Sequence, residues 1–163
     1  MARVPPNQVA ALERAKAASF AQLLLQCARR FDELAIARVR DRSGIDLRSA
    51  HTSLFPHIDL AGTRLTELAR RLGVSKQAVA PLVDDLVEMG ALERVPDPDD
   101  ARAKLIVFAK RRGRVRIHDG LAVLGELEAE AAAAVGKDKL RTLHAILGEL
   151  LVWLRERGDA DPG

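Results

Sequence analysis

Tyrosine is absent from the chain, and four phenylalanines with one tryptophan bring the aromatic share to only 3%. Leucine and alanine must therefore fill most of the interior, which favours helices over extended sheet. The single cysteine, Cys27, excludes an intramolecular disulfide and makes a reducing compartment the default. No uncharged run approaches the roughly 18 residues of a membrane span, and the N-terminal stretch lacks the apolar core of a signal peptide. We therefore expect a cytoplasmic protein.

Strong net charge is also missing. The formal charge is only +3, so the distribution of the charges rather than their sum has to indicate a partner. The chain has 163 residues, of which 48% are hydrophobic and 30% charged. That is enough apolar material for a domain with a real core, and it excludes wholesale disorder.

Signatures of catalysis are equally scarce. The chain has no glycine-rich loop following a strand, no cluster of cysteines and histidines, and no serine in a strained turn between a strand and a helix. The carboxylates of "PDPDD", residues 96–100, belong to a proline-rich turn and not to a pocket. We expect no enzymatic activity and no cofactor.

Helical periodicity dominates both ends of the chain. Apolar residues recur at threes and fours over residues 9–34, before "DRSG" at 41–44 interrupts the pattern. Two further helical patterns cover about 111–134 and 137–157, with Gly136 between them. These apolar stripes have no obvious partner in a small central module, so a symmetric homodimer that packs the ends together is the economical arrangement.

The centre predicts two compact helices and then a β-hairpin. Thr63 is placed to cap the first helix, which stops at Gly73, and Ser75 is placed to cap the second, which stops at Gly90. The linking "GVS" suits a sharp turn between two steeply crossing helices. Beyond Gly90, "ALERV" and "KLIVF" are typical of strands joined by the turn "PDPDDA". The inner face of the second helix is expected to hold Val79, Leu82, Val83 and Leu86.

A helix pair followed by a hairpin is a winged helix-turn-helix, whose usual ligand is duplex DNA. The predicted fold class is therefore mainly α (α+β). We expect an N-terminal dimerisation helix at 1–44, a winged helix-turn-helix DNA-binding lobe at 45–110, and C-terminal helices of the dimerisation lobe at 111–163.

The central segment "GTRLTELARRLGVSKQAVAPLVDDLVEMGALERVPDPDDARAKLIVF" resembles the DNA-binding lobe of the MarR family of bacterial regulators. The resemblance rests on "LTELARRLGVSKQAV", on "LVDDL…MG", and on the wing pattern R-x-P-D-P-D-D-x-R-x-K. It covers residues 45–110 closely and the rest by architecture, since that family dimerises through helices from both chain ends. It implies a homodimeric transcriptional regulator, a repressor rather than an activator, that binds a pseudo-palindromic operator.

The resemblance also implies roles for matching positions. Those expected at DNA are Thr63, Arg64, Ser75, Lys76, Gln77, Ala80, Pro81, Arg102 and Lys104. Gln77 can pair with adenine at the start of the recognition helix, while Thr63 and Arg64 would lie near the DNA backbone. Asp100 and Arg102 match the Asp-x-Arg of the family's wing. Two alternatives stay open: Ser75 could serve as a cap alone, and Arg102 could be only an ion-pair partner of Asp100.

The outer face of the recognition helix looks poor for DNA. Pro81 should bend the helix or loosen its first turn, and Asp84, Asp85 and Glu88 crowd its second half. We hypothesise that Ala80 and Pro81 pack on thymine methyls and that cations elsewhere supply much of the affinity. Those cations are Arg102, Lys104, Lys110, Arg111, Arg112, Arg114 and Arg116.

Many members of the family release DNA when a small anionic or aromatic compound enters the cleft between their lobes. By that resemblance the effector contacts would come from "RSAHTSLFPHID", and the candidates are Arg48, His51, Phe55 and His57. The alternative is that Phe55 belongs to the core and that the histidines are ordinary packing or surface residues. The spacing of His51, His57 and Asp59 fits no strong metal template, so we expect no metal site.

Cys27 lies in an apolar stripe with no histidine nearby, which predicts a buried, inert thiol and no redox role. For the protein as a whole, the competing interpretation is a winged-helix protein-interaction module that has lost specific DNA binding.

Overall fold

The computed structural model describes residues 5–109 and 117–160. The elements are α1 (Pro6–Ala18), α2 (Phe20–Ser43), α3 (Ser49–Thr52), a 3-10 turn (Phe55–His57), β1 (Thr63–Arg64), α4 (Leu65–Leu72), α5 (Lys76–Glu88), β2 (Leu92–Asp97), β3 (Asp100–Phe108), α6 (Ile117–Val135) and α7 (Lys137–Ala160). The predicted class is confirmed: a mainly helical chain carries a helix pair followed by a hairpin. By backbone proximity the chain forms two compact units, Met1–Gly120 and Leu121–Gly163. None of the helices in the described ranges is long and apolar enough to span a bilayer.

The N-terminal pattern, predicted as one long helix, is two helices broken at Ser19. The backbone of Ser19 is extended, and its hydroxyl accepts a hydrogen bond from the N–H of Gln22 at 3.4 Å, which caps α2. The apolar spacing continues across this break, so periodicity alone did not reveal it. At its other end α2 stops at Gly44, whose φ of 69° lies in the left-handed region that favours glycine.

The turn between α4 and α5 forms as predicted, but the start of α4 does not. α4 stops at Gly73, in the left-handed conformation, and Ser75 caps α5. The expectation that Thr63 caps α4 is wrong, because Arg64 occupies the cap position without a side-chain cap bond. Thr63 is buried in β1, where its hydroxyl accepts the N–H of Asp59 at 2.9 Å and donates to that residue's carboxylate at 3.3 Å.

The sheet has three antiparallel strands in the order β1-β3-β2. The hairpin prediction missed β1, which is only two residues long and too short to show a period of two. Along the hairpin, pairing is regular from Leu92 opposite Phe108 to Pro96 opposite Lys104. The next pair is Asp97 with Asp100, so β2 advances by one residue while β3 advances by four. Residues 101–103 therefore bulge out of the pairing at the tip of the wing.

The core of the first unit lies where α4, α5 and the sheet meet the segment before them. The side chains there that are at most 1% exposed are His51, Leu54, Leu68, Val79, Val83, Leu86, Leu92 and Ile106. Three of the four residues predicted for the inner face of α5 are among them, and Leu82 is half-buried. Burying each such aliphatic side chain contributes about 1.5–3 kcal/mol, so this lobe has its own hydrophobic core.

Unlike the core of the lobe, the long helices of each unit leave large apolar side chains exposed. In α2 only Ala35 and Val39 are buried, both in its C-terminal half. Large apolar side chains elsewhere in α1 and α2 are exposed, namely Val9, Leu12, Phe20, Leu23, Leu25 and Leu34. The prediction of a buried Cys27 is wrong, because its stripe of α2 is open in the single chain and the thiol is exposed.

The second unit shows the same feature in α7. Its exposed apolar side chains are Leu143, Ile146, Leu151, Val152, Trp153 and Leu154, each about half exposed. α6 and α7 are separated by Gly136, as predicted, at a positive φ of 101°. A monomeric soluble protein rarely shows so many large apolar side chains along one helix.

Candidate nucleic-acid interface

The first turn of α5 is exposed on the surface of the winged-helix lobe. Its cap forms as predicted, since the Ser75 hydroxyl accepts the N–H of Ala78 at 3.2 Å. Residues 75–78 are all exposed, including the side chains of Lys76 and Gln77. The first N–H groups of a helix have no intrahelical partner, and the helix dipole adds positive potential at this end. The start of α5 is therefore an available, electropositive end with a long donor side chain on each of two adjacent residues.

The exposed face of α5 differs slightly from the prediction. Gln77 and Pro81 are exposed as expected, but Ala80 is half-buried and Ala78 is the more open of the two alanines. The helix continues without interruption through Pro81, and its first turn is hydrogen-bonded, so the expected loosening of that turn is wrong. Proline removes the one N–H that would bond the carbonyl of Gln77, and this loss falls on the exposed side of the helix.

Both acids in the middle of α5 bind cations from other elements. The Asp84 carboxylate accepts a hydrogen bond from Nη1 of Arg94, in β2, at 2.5 Å. The Asp85 carboxylate binds the Arg48 guanidinium, from the start of α3, and also lies 3.2 Å from Nε2 of His51. Neither acid is left as an unpaired negative charge at this face.

His51 lies in α3, and its side chain is fully buried where α3 packs on α5. Its Nδ1 accepts the backbone N–H of Arg48 at 3.2 Å, so in the neutral ring the proton is on Nε2, which donates to Asp85. The Arg48 guanidinium reaches the same oxygen, so two donors converge on one acceptor. The expectation that His51 contacts an effector is therefore corrected: its ring is closed off from solvent and its nitrogens are used within the protein.

Arg64 ties the beginning of α4 to the wing instead of standing free. Its Nε donates to Oδ2 of Asp97 at 2.6 Å, and its Nη2 lies 3.8 Å from Oδ2 of Asp100. The buried Asp97 also accepts the backbone N–H of Asp99 at 3.0 Å. That N–H first, and Arg64 next, lower the pKa of Asp97 below its ordinary value. These bonds fix the base of the wing tip.

The wing cations Arg102 and Lys104 are exposed on β3. The carboxylate of Asp100 accepts the backbone N–H of Arg102 at 3.0 Å, and no carboxylate in the described ranges lies within ion-pair distance of the side chain of Arg102 or Lys104. The alternative that Arg102 only neutralises Asp100 is thus not supported. The basic run from Lys110 to Arg116, the other expected source of positive charge, falls outside the described residues.

An open helix start and an exposed, cation-bearing wing are the two features that a winged helix uses to bind DNA. Residues 50–103 match the model of the MarR family. The match covers 54 of the 163 residues, from α3 into β3, so it is the winged-helix lobe that is similar to the MarR family. No curated protein matches the chain.

Several solved structures share the fold along most of the chain. The transcriptional regulator PA3341 is 26% identical with a TM-score of 0.61, over 85% of this chain and 99% of that one. A cysteine-to-serine mutant of MarR from E. coli is 24% identical with a TM-score of 0.61, over 82% and 96%. The repressor CouR bound to a 23-mer DNA duplex is 16% identical with a TM-score of 0.60, over 92% and 99%. A CouR structure from Rhodococcus jostii RHA1 is bound to p-coumaroyl-CoA, at 22% identity and a TM-score of 0.60 over 83% and 93%.

The remaining effector candidates do not form one cluster. Arg48 meets His51 and Asp85, whereas the half-buried ring of Phe55 packs at 6.0 Å, centre to centre, on the ring of Phe108 at the end of β3. His57 is half-buried, and its backbone carbonyl accepts a bond from Arg71 at 2.9 Å.

The carboxylate of Asp59, near these histidines in sequence, binds Arg71 at 2.8 Å. The pKa of Asp59 is lowered mainly by that bond. Arg71 also binds Glu67, whose pKa is lowered to about 2 by Arg70 and then by Arg71. In the part of the chain that the structure describes, no three histidine, cysteine or acidic residues come together as metal ligands would. Asp59 therefore serves an ion-pair network at the back of α4.

Proposed function

We propose that this chain is a transcriptional regulator that binds duplex DNA sequence-specifically, acting as a repressor on a pseudo-palindromic operator. The observation that carries the proposal is the exposed first turn of α5, capped by Ser75 and presenting Lys76 and Gln77. This turn would enter the major groove, with Gln77 on a base edge and Lys76 on phosphate or guanine. Arg102 and Lys104 would reach the adjacent minor groove, whose negative potential attracts cations.

Two of the expected DNA contacts have a modified role in this proposal. Thr63 is buried and Arg64 is bound to Asp97, so both support the wing and the start of α4. Pro81 is exposed on the outer face of α5 and remains the candidate for contact with a thymine methyl, with Ala78 beside it more open than Ala80. Asp100 shapes the wing by binding the backbone of Arg102.

The proposal includes a homodimer held by the terminal helices, in keeping with the division into segments 1–44, 45–110 and 111–163. The exposed apolar side chains of α1 and α2 in one unit, and of α7 in the other, support it. A two-fold dimer would present two copies of α5 to successive major grooves, about one helical turn of DNA apart.

Selection of bound sequences from random duplex DNA, repeated at two salt concentrations, tests the function directly. We expect an inverted repeat whose affinity falls steeply with salt, because phosphate contacts release counterions. Recovery without any shared sequence, or no recovery, would contradict the regulator and favour a winged-helix protein-interaction module.

The wing contribution is tested by R102Q on the selected operator. We expect weaker binding to all duplexes and a salt slope reduced by about 1, because one cationic contact to the DNA is lost while base readout by α5 remains. Arg29 is the matched control, since it is an exposed arginine on α2 that already binds Glu33 at 2.8 Å. An R29Q variant should bind DNA as the unsubstituted protein does, and equal losses in both variants would remove the wing from the interface.

An effector is the finer part of the proposal, and CouR bound to p-coumaroyl-CoA supports it because that ligand is both anionic and aromatic. Arg48 has an exposed guanidinium and would compete for an anion against Asp85, with Phe55 and His57 along the same segment. Titration with aromatic carboxylates and their coenzyme A thioesters, followed by operator binding, is the test. A ligand that binds equally to an R48Q variant would exclude this site.

A further inference from the structure

The two neighbouring acids of α5 lie on opposite flanks of its exposed face. Successive residues of an α-helix are about 100° apart around the axis. With Val79, Val83 and Leu86 buried, the middle of the exposed side falls at Gln77, Pro81 and Glu88. On this geometry Asp84 lies on one side of that line and Asp85 on the other.

Each acid is bound to a different and well-anchored element. Asp84 binds Arg94, which lies within β2 opposite Ile106 of the central strand. Asp85 binds Arg48 and His51, and the ring of His51 is fully buried. Asp84 therefore links one flank of α5 to the wing, and Asp85 links the other flank to α3.

The buried side chains of Val79, Val83 and Leu86 fix the inner face of α5 by shape complementarity, and directional bonds on its two flanks add to that constraint. Hydrogen-bonded ion pairs have fixed distances and directions. A side-chain end about 6 Å from the axis moves about 2 Å when the helix turns by about 20°, which is enough to break a hydrogen bond to a base edge. Opposed bonds on the two flanks resist such a turn.

We propose that Asp84 and Asp85 are positioning residues for sequence readout, fixing the rotation of α5 through Arg94 and through Arg48 with His51. They keep Gln77 and Pro81 directed at the groove. This inference rests on the proposed DNA-binding function. Exposed ion pairs contribute little to stability, so the role of these pairs is directional and should show in specificity more than in folding.

The test uses D84N and D85N in the full-length protein, with E88Q as the matched control. Glu88 is an exposed acid on the same helix, and no ion pair of it is found among the described residues. Binding is measured at one salt concentration to the selected operator and to a scrambled duplex of equal length. Removing a negative charge near DNA tightens binding to any duplex, so charge alone predicts that all three variants bind both duplexes slightly better.

If the two acids position α5, their removal should weaken binding to the operator, whereas the charge effect alone would strengthen it. D84N and D85N should bind the scrambled duplex as well as or better than the unsubstituted protein, yet bind the operator more weakly, with the operator-to-scrambled ratio falling about tenfold. E88Q should leave that ratio unchanged. R94Q alone should lower the ratio as D84N does. The double variant D84N/R94Q should lose no more than the larger of these two single losses, because the two residues act as one pair.

Several outcomes separate this inference from the function on which it rests. Operator preference kept at full strength by both D84N and D85N overturns the inference alone. No operator preference in the unsubstituted protein overturns the proposed function and the inference with it. Circular dichroism and thermal unfolding of each variant verify folding, which we expect to be intact because both carboxylates are partly exposed.

Discussion

The winged-helix lobe and the terminal helices are rich in the same aliphatic residues but treat them in opposite ways. In the lobe, Leu68, Leu86 and Ile106 are at most 1% exposed, and the surrounding polar groups bind one another. In the helices at the two ends, leucines such as Leu25 (65% exposed) and Leu151 (49% exposed) have large open surfaces. The lobe completes its packing within one chain, whereas the terminal helices carry apolar surface that a single chain leaves uncovered.

The largest effect should come from making the same deletion in each region. L86A removes a fully buried side chain from α5 and should lower the free energy of unfolding by about 2–5 kcal/mol, through lost transfer energy and a cavity. L25A, on the open face of α2, is the control and should cost under about 1 kcal/mol at protein concentrations low enough for the chain to be monomeric. Urea unfolding followed by circular dichroism measures both, and similar losses would abolish the contrast between the regions.

The next effect concerns what covers the terminal helices. L25E and L151E each place a charge on an exposed apolar surface, one in each unit. If that surface is a subunit interface, each change should raise the dimer dissociation constant at least about tenfold, because a charge would be buried without a partner. Sedimentation equilibrium measures this directly.

A spectroscopic readout is available for the same experiment. Trp153 is the only tryptophan of the chain and lies on α7, about half exposed. Its emission should shift to longer wavelength when the dimer dissociates on dilution. An unsubstituted protein that sediments as a single chain at all concentrations would show that the open surfaces have another purpose.

A smaller effect is expected at the cap that opens the recognition helix. S75A removes the acceptor of the Ala78 N–H and should cost about 1 kcal/mol in the free energy of unfolding. S75D keeps an acceptor at the same place and should recover most of that stability, while its negative charge weakens DNA binding. Chemical unfolding and operator binding of the two variants separate the roles of cap and contact, and equal stability of both would exclude the cap.

The smallest effect compares one carboxylate of each region as the solution is acidified. The lowered pKa of Asp97 means that its contribution is present at and above the ordinary pKa and is lost as the pH falls through the lowered value. D97N should therefore flatten the decline in lobe stability from about pH 5 to about pH 2. Glu33 of α2 also has a lowered pKa, caused by Arg29 and then Arg30, but its pair is open to solvent.

E33Q should consequently change the acid dependence less than D97N does, because water screens the exposed pair. Thermal unfolding at several pH values measures both variants. A larger effect of E33Q would show that the ion pair of α2, and not the one in the wing, contributes more to the acid dependence of stability.

Local signals in the sequence were sufficient for the helix pair and the wing. The Ser75 cap, the glycine stops and the change from helical to alternating periodicity each act within a few residues, so each could be predicted. The bonds of Asp85 could not, since Arg48 and His51 lie 37 and 34 residues away along the chain. Only the folded topology brings α3 behind α5, and it changes the interpretation of His51 from a ligand contact to an internal link.

Other errors also have physical causes. β1 is formed by two residues whose place in the sheet depends on the distant β3, so no local pattern predicts it. The buried environment predicted for Cys27 assumed that an apolar stripe is covered within its own chain, and α2 leaves that stripe open. The Asp84–Arg94 pair spans only ten residues. An acid on α5 followed by an arginine in the first wing strand is the sequence signal from which this pair could have been predicted.

The bulge at residues 101–103 separates the tip of the wing from the rest of the hairpin. Because the three extra residues lie beyond the last regular pair, Pro96 with Lys104, changes in their number do not shift the alternation of side chains nearer the core. Loop grafts could therefore replace this tip with longer or more basic sequences as an interchangeable cassette. The proposed reach of the wing into the minor groove is thus open to engineering and to evolutionary change without refolding the sheet.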